Sequence, residues 1–285
     1  MSLKSLSVRL ALMAGAFIVA TGFAAAQTGE FIFVGNSVSF GTDATSVNSP
    51  VVSASNTNAE GVALAQLGSS WYGLDLAVPG ADTAETIASW SSNNDNNIWL
   101  PGVTTKVVVL WAASNEFADY TNSSSTLTPA QLEAEAQSVY NATVSFSKSL
   151  QAQGDLVLAL TVLPRDEPSL ANPAEQEALR QDFNSMVVAG WSSWANALVD
   201  VGDAPHIGQL SDVTNFTYYT DGSGDDVSLH LTNLGYQIVG DDVAGAIETL
   251  EAPEPSTDAL LLGSLGLLVL TGPFLRKRVR VSGNS

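Results

Sequence analysis

Short apolar runs and longer amphipathic stretches alternate along the middle of this 285-residue chain. Runs rich in β-branched and other apolar residues occur at 30–34, 74–78, 106–111 and 156–162, with a weaker one at 197–201. Apolar runs of this length, with little polar alternation, predict parallel strands covered on both faces. Between them, apolar residues at helical spacing predict helices over 57–67, 81–90, 129–151, 172–195 and 232–250. Asp82 and Thr83 are N-cap candidates for the second. Thr128-Pro129 and Asn172-Pro173 each place a capping residue before a first-turn proline. The alternation predicts an α/β fold, a parallel sheet of about five strands with helices on both faces.

The two ends follow a different pattern. Residues 1–26 carry Lys4 and Arg9, then an uncharged stretch from Leu10, then Ala24-Ala25-Ala26. This is the layout of a secretory signal peptide with an A-x-A cleavage site. At the other end, 253–285 holds Pro253-Glu254-Pro255-Ser256-Thr257, a charge-free run over 259–275, and Arg276-Lys277-Arg278-Val279-Arg280. The run is just long enough for a short transmembrane helix, with the basic cluster on the cytoplasmic side. The expected organisation is a signal peptide over 1–26, one domain over 27–252 and a sorting tail over 253–285.

The formal net charge is −19. Six of the ten basic residues lie in those terminal segments, leaving Lys106, Lys148, Arg165 and Arg180 in the domain. So acidic a body repels phosphate backbones and anionic lipid, which argues against nucleic-acid binding and against membrane contact except through the tail. The chain has no cysteine and two histidines. Thiolate chemistry is excluded and a catalytic zinc site is disfavoured. No P-loop, dinucleotide Gly-x-Gly-x-x-Gly, His-Glu-x-x-His or Gly-x-Ser-x-Gly string occurs.

Sites in open parallel sheets form at the carboxyl ends of the strands. There the chain places Gly35-Asn36-Ser37, then Val78-Pro79-Gly80, then Ala113-Ser114-Asn115-Glu116. Asp225-Asp226-Val227-Ser228-Leu229-His230 precedes the last helix. Taken singly these are ordinary turn residues. As an ordered set over about residues 30–250 they resemble the SGNH, or GDSL-type, hydrolases. That resemblance implies a three-layer, flavodoxin-like α/β/α domain. It also implies an esterase needing no cofactor or metal, with Ser37 as nucleophile and His230 as base. Ser37 and Gly80 backbone N–H groups and the Asn115 amide would form the oxyanion hole.

Three positions depart from the family's pattern. Asn36 stands where Gly-Asp-Ser has its aspartate, and Ala113 where Gly-x-Asn-Asp has its glycine. The family's acid lies three residues before the histidine, and position 227 is valine. Asp226 is the first choice for that role, with Asp225 and Asp221 behind it; a Ser-His dyad is also open. Asp221-Gly222-Ser223-Gly224-Asp225-Asp226 has oxygen ligands at alternate positions, as calcium loops do, but lacks the turn glycine and closing glutamate; a solvated loop is the preferred reading. His206 reads as structural, and Trp191 and Trp194 as a core-packing pair.

The tail resembles the PEP-CTERM sorting signal of Gram-negative bacteria over about its last 33 residues. The resemblance implies an exosortase-type processing enzyme as a partner, and transient inner-membrane anchoring before surface display or release. The expected function is an exported serine esterase acting on acyl esters, O-acetyl groups of exopolysaccharide among them. The alternatives are a lipolytic esterase and a surface or biofilm matrix protein with weak catalysis.

Overall fold

The structure is a computed structural model that describes residues 29–47, 49–94, 98–121, 126–166, 171–220 and 229–251. Five strands form one sheet: β1 (Gly29–Gly35), β2 (Trp71–Asp75), β3 (Thr105–Trp111), β4 (Leu156–Leu160) and β5 (Ala197–Val199). Their order is β2-β1-β3-β4-β5, and every pairing is parallel. This is the doubly wound, flavodoxin-like order, in which the chain reverses its direction of winding between β1 and β3.

Among the described residues the α-helices are α1 (Ser37–Phe40), α2 (Ala59–Leu67), α3 (Thr83–Asn94), α4 (Ser114–Thr121), α5 (Pro129–Ala152), α6 (Pro173–Gly190) and α7 (Asn233–Glu251). Successive strand residues point to opposite faces. Phe31, Phe33, Val107, Val109 and Leu158 therefore join α2 and α7 in one core, with Ala59, Ala63, Tyr236, Val239 and Val243. Ile32, Val34, Val108, Leu110 and Val157 join α3, α4, α5 and α6 through Trp90, Phe117, Phe146, Leu179 and Phe183. Apolar burial on both faces explains why the strands read as unbroken hydrophobic runs.

The second strand differs from its expected place. Residues 71–75 form β2, and 76–78 only extend along β1, with Leu76 N–H donating to Phe33 O and Val78 N–H to Gly35 O. The apolar run at 74–78 marked the exit of the strand rather than its body. Trp71 and Gly73 alternate with exposed Tyr72, a pattern that apolar continuity does not detect. The short helices α1 and α4 were absent from the pattern because four and eight residues are too few for a helical period to emerge.

The caps are specific. Asp82 accepts from Glu85 N–H at 2.7 Å while Glu85 accepts from Asp82 N–H at 3.2 Å, a capping box that starts α3. Thr128 forms another with Gln131. Asn172 does not cap α6 with its side chain; its amide donates instead to Thr121 O at 2.9 Å, tying α6 to the end of α4. Trp194 is buried, its ring N–H donating to Tyr140 Oη at 3.1 Å, and Trp191 packs beside the same core. No helix among the described residues is long and apolar enough to cross a membrane. The expected signal peptide (1–26), the 259–275 run and the 221–226 loop lie outside the described residues.

Candidate active site

The site forms where the sheet reverses winding. Gly35 and Trp111 pair as the last residues of β1 and β3, so the loops after these strands leave side by side. Ser39 Oγ donates to Trp111 O at 2.6 Å and Asn36 Nδ2 donates to Ser114 Oγ at 3.3 Å, which join the two exits. A side chain at Gly35 would meet Trp111 O at 2.0 Å, so only glycine permits this approach.

Asn36 caps the turn that presents Ser37: its Oδ1 accepts from Val38 N–H at 3.1 Å. An aspartate at this position could accept the same bond but could not donate to Ser114. The asparagine that departs from the family pattern thus ties the Ser37 turn to the Asn115 turn. Ser37 follows as the first residue of α1 and is 9% exposed.

His230 lies 193 residues further along, and its Nε2 is 3.0 Å from Ser37 Oγ. A two-residue antiparallel bridge between Tyr219 and Leu231 holds it, with Thr220 N–H donating to His230 O and Thr232 N–H to Tyr218 O. Leu231 and Tyr236 are fully buried beneath it. The fold thus brings two of the expected residues into direct contact.

A carboxylate unmarked by the sequence meets the other side of the imidazole. Asp43 Oδ2 is 3.1 Å from His230 Nδ1, and Thr220 Oγ1 donates to the same oxygen at 3.3 Å. With a carboxylate against Nδ1, that nitrogen carries the proton, and Nε2 is left to accept from the serine hydroxyl. The Asp43 side chain is 44% exposed, against 6% for His230. Asp43 has a φ of +70°, a left-handed conformation that aspartate tolerates better than most residues.

Its loop is fastened at several points. Thr42 O accepts from Tyr236 Oη–H at 2.8 Å, Thr45 N–H donates to Asn233 Oδ1 at 2.9 Å, and Asn233 Nδ2 donates to Thr45 Oγ1 at 2.8 Å. Asp226, Asp225 and Asp221, expected from the family's spacing, lie outside the described residues. No linear signal pointed to Asp43. It shares the Ser37 loop, and its pairing with a residue 187 positions away is purely tertiary.

The third and fourth blocks meet each other. Asn115 Nδ2 donates to Ala81 O at 2.9 Å, one residue after Gly80. Glu116 accepts through Oε1 from Thr83 N–H. Neighbouring residues at the start of α4 thereby fasten the backbone just after Gly80, between Ala81 and Thr83. Gly80 is exposed and has a φ of +84°. Burial pushes the Glu116 carboxyl up from the usual range, partly offset by its hydrogen bonds.

Ala113 is fully buried with a φ of +85°, a backbone shape that glycine adopts freely and alanine only at a cost of about 1–2 kcal/mol. On the far side, Arg165 Nη1 donates to Ser114 O at 3.1 Å and to Asn115 Oδ1 at 3.3 Å. Arg165 also lines a narrow cleft with Asn36, Val38, Trp111, Ser114, Val162, Leu163, Pro164 and Leu229. His206 stacks on Tyr218 with ring centroids 4.9 Å apart, a packing role at the base of the loop that precedes His230.

Two further carboxyls lie under the Asp43 loop. Glu60, at the start of α2, is fully buried, and burial followed by the nearby Asp75 raises its pKa well above the usual range. Asp75, at the end of β2, is pushed up to about 7 by burial, although Ala77 N–H donates to it at 2.8 Å. Among the described residues no cluster of three or more acidic or histidine side chains is arranged to hold a metal ion.

No family model matches the chain, and no curated protein matches it. Solved structures do. A member of the lipolytic G-D-S-L family from Veillonella parvula superposes with a TM-score of 0.53 at 12% identity, over 78% of this chain and 99% of that one. An aryl esterase from M. smegmatis (TM-score 0.48, 12% identity) and a carbohydrate acetylesterase from Sinorhizobium meliloti (TM-score 0.47, 12% identity) each align over 78% of this chain and 100% of their own. At that identity the likeness is one of fold, and the chain has the five-strand parallel α/β fold of the SGNH hydrolase structures it resembles.

Proposed function

We propose that this protein is a serine ester hydrolase. The observation that carries the reading is the hydrogen-bonded line from Ser37 Oγ to His230 Nε2 and from His230 Nδ1 to Asp43 Oδ2. A serine hydroxyl is a weak nucleophile until a base takes its proton. As Ser37 Oγ attacks an ester carbonyl, His230 Nε2 accepts that proton and Asp43 stabilises the resulting imidazolium. His230 then returns the proton to the departing alkoxide, leaving Ser37 acylated. Water attacks the acyl-enzyme, again giving its proton to His230, and the acid leaves as Ser37 regains its hydrogen. The oxyanion donors are the Ser37 and Gly80 N–H groups and Asn115 Nδ2, which together stabilise charge only as it develops.

Short acyl esters, acetyl among them, are the substrate class we favour, on the strength of the expected surface location. The small cleft lined by Asn36, Val38, Val162, Leu163 and Leu229 is not lined by Ser37 and does not serve as the acyl pocket in this reading. An exported enzyme with the tail over 253–285 would meet acetylated surface polysaccharide, and that tail would be its membrane anchor until processed. Deleting 253–285 should then send the protein to the medium.

A second reading is favoured by two features. Ala113 is strained where glycine would not be, and Asp43 is nearly half exposed, which weakens its hold on the imidazole. Both suit a surface protein with low turnover. A fluorophosphonate probe separates the readings. Adduct at Ser37 that is lost in His230→Ala supports the hydrolase; no adduct and no hydrolysis of p-nitrophenyl acetate supports the matrix protein. Comparison of acetate with octanoate esters tests the acyl preference.

A further inference from the structure

The geometry points to Arg165 as a positioning residue that sets which way the Asn115 amide faces, and hence whether Asn115 can serve as an oxyanion donor. A carboxamide presents an acceptor on one side and two donors on the other, and a rotation of half a turn exchanges them. For Asn115 to stabilise an oxyanion, Nδ2 must face the loop of Gly80 and Oδ1 must face away. Asn115 Nδ2 donates to Ala81 O at 2.9 Å, which occupies one of its two hydrogens and leaves the second for the site.

Arg165 holds the opposite side. Its Nη1 is 3.3 Å from Asn115 Oδ1 and 3.1 Å from Ser114 O. A guanidinium has no acceptor, so the flipped amide would set N–H against N–H at a cation. It would also set Asn115 Oδ1 against Ala81 O. The pair of contacts therefore selects one orientation twice, once by a donor that cannot accept and once by an acceptor that cannot donate.

The placement of Arg165 is costly enough to need a reason. It is 7% exposed, just beyond β4, and it is one of only four basic residues between positions 27 and 252. Charged side chains are rarely buried to this degree without partners. Its interaction with Ser114 O also holds the first turn of α4, so the side chain fixes both the backbone and the amide of the Asn115 turn. Arg180, the other buried arginine among the described residues, is held by Glu177 and Val162 O rather than by the Asn115 turn.

The consequence for turnover rests on the esterase reading, whereas the orientation itself does not. The experiment uses the full chain and p-nitrophenyl acetate, with R165M, R165K, N115A and R165M/N115A. Removing an oxyanion donor lowers kcat by about 100- to 1000-fold, so N115A should fall in that range. R165M should lower kcat at least about tenfold with KM nearly unchanged, R165K should retain an intermediate kcat, and the double variant should be no slower than N115A. Wild-type kcat in R165M, or losses that multiply in the double variant, would overturn the proposal.

A second readout needs no turnover. The side-chain amide 15N–1H signals of Asn115, assigned by their absence in N115A, should shift in R165M. Unchanged signals would overturn the orientation claim even in a catalytically silent protein. If R165M does not fold, R165K carries both tests. Loss of Ser37 labelling in the wild-type chain would sink the esterase reading alone, leaving the amide signals to judge Arg165.

Discussion

Asp43 and His230 stand 187 residues apart in the chain, yet a carboxylate oxygen of one lies 3.1 Å from Nδ1 of the other. The aspartate comes from the same loop as Ser37, so Ser37 and Asp43 flank the imidazole from one short segment. Among the described residues, the β1–α2 loop supplies the carboxylate that meets Nδ1. Replacing Asp43 by Ala should lower kcat for p-nitrophenyl acetate by about 100- to 10,000-fold with little change in KM, the upper end being typical of a buried acid. The 44% exposure of its side chain argues for the lower part of that range. Asp226→Asn, measured beside it, should retain most activity; the opposite ranking would return the acid role to the histidine's loop.

The carboxyls of Glu60 and Asp75 predict that stability falls as pH rises. Asp75 titrates near 7 in the folded protein, whereas an unfolded aspartate titrates near 3.9. The neutral acid is the form the fold accommodates. Its contribution is fully present below about pH 4, declines through the interval up to about pH 7, and is gone above it. Thermal unfolding should show a higher Tm at pH 5 than at pH 8. Asp75→Asn, which can still accept from Ala77 N–H, should flatten that slope and raise the Tm at pH 8. An equal slope in wild type and variant would count against the buried-acid account.

Gly35 is where two strand exits come closest. A methyl group there would sit 2.0 Å from Trp111 O and 2.1 Å from Ser39 Oγ. Both atoms belong to the hydrogen bond that joins the β1 and β3 exits. Gly35→Ala should therefore destabilise the fold by about 3 kcal/mol or more, at the upper end of overpacking costs. Chemical denaturation of the purified variant measures this. Gly68→Ala is a suitable contrast, since no atom outside its own chain neighbours lies within 4 Å of the position its methyl group would take, and only the φ of +80° opposes it.

Glu116 binds the N–H of Thr83, the first residue of α3, and through it the loop of Gly80. Glu116→Ala removes the acceptor for Thr83 N–H and should cost about 1–3 kcal/mol, the penalty for a buried donor left unpaired. It should also reduce kcat, because the loop loses one of its two ties to α4. Glu116→Gln retains an acceptor and should stay close to wild type in both measurements. Equal damage from both variants would mean that the charge, not the hydrogen bond, matters.

Much of the architecture could be read directly from the chain. Continuous apolar runs marked four of the five strands close to their observed positions, because a strand covered on both faces has no polar side to interrupt it. Long helices were visible because eighteen or more residues repeat the 3.6-residue period several times. Ser37 and His230 were marked by the resemblance of four ordered blocks to the SGNH hydrolases. What escaped were relationships without a local signature: the alternating strand at 71–75, the two short helices, and the contacts of Asp43 and Arg165.

Periodicity is a property of neighbouring residues, and so composition and element types followed from the sequence by itself, while the two residues that meet at 3.0 Å were named by the resemblance of its ordered blocks to the SGNH hydrolases. The acid beside His230 and the cation beside Asn115 depended on which loops the sheet order β2-β1-β3-β4-β5 brings to a common edge. Hydrogen bonds of about 3 Å between residues 50 or 187 positions apart leave no trace in spacing, because their geometry is set by the packed sheet and helices and not by the chain between them.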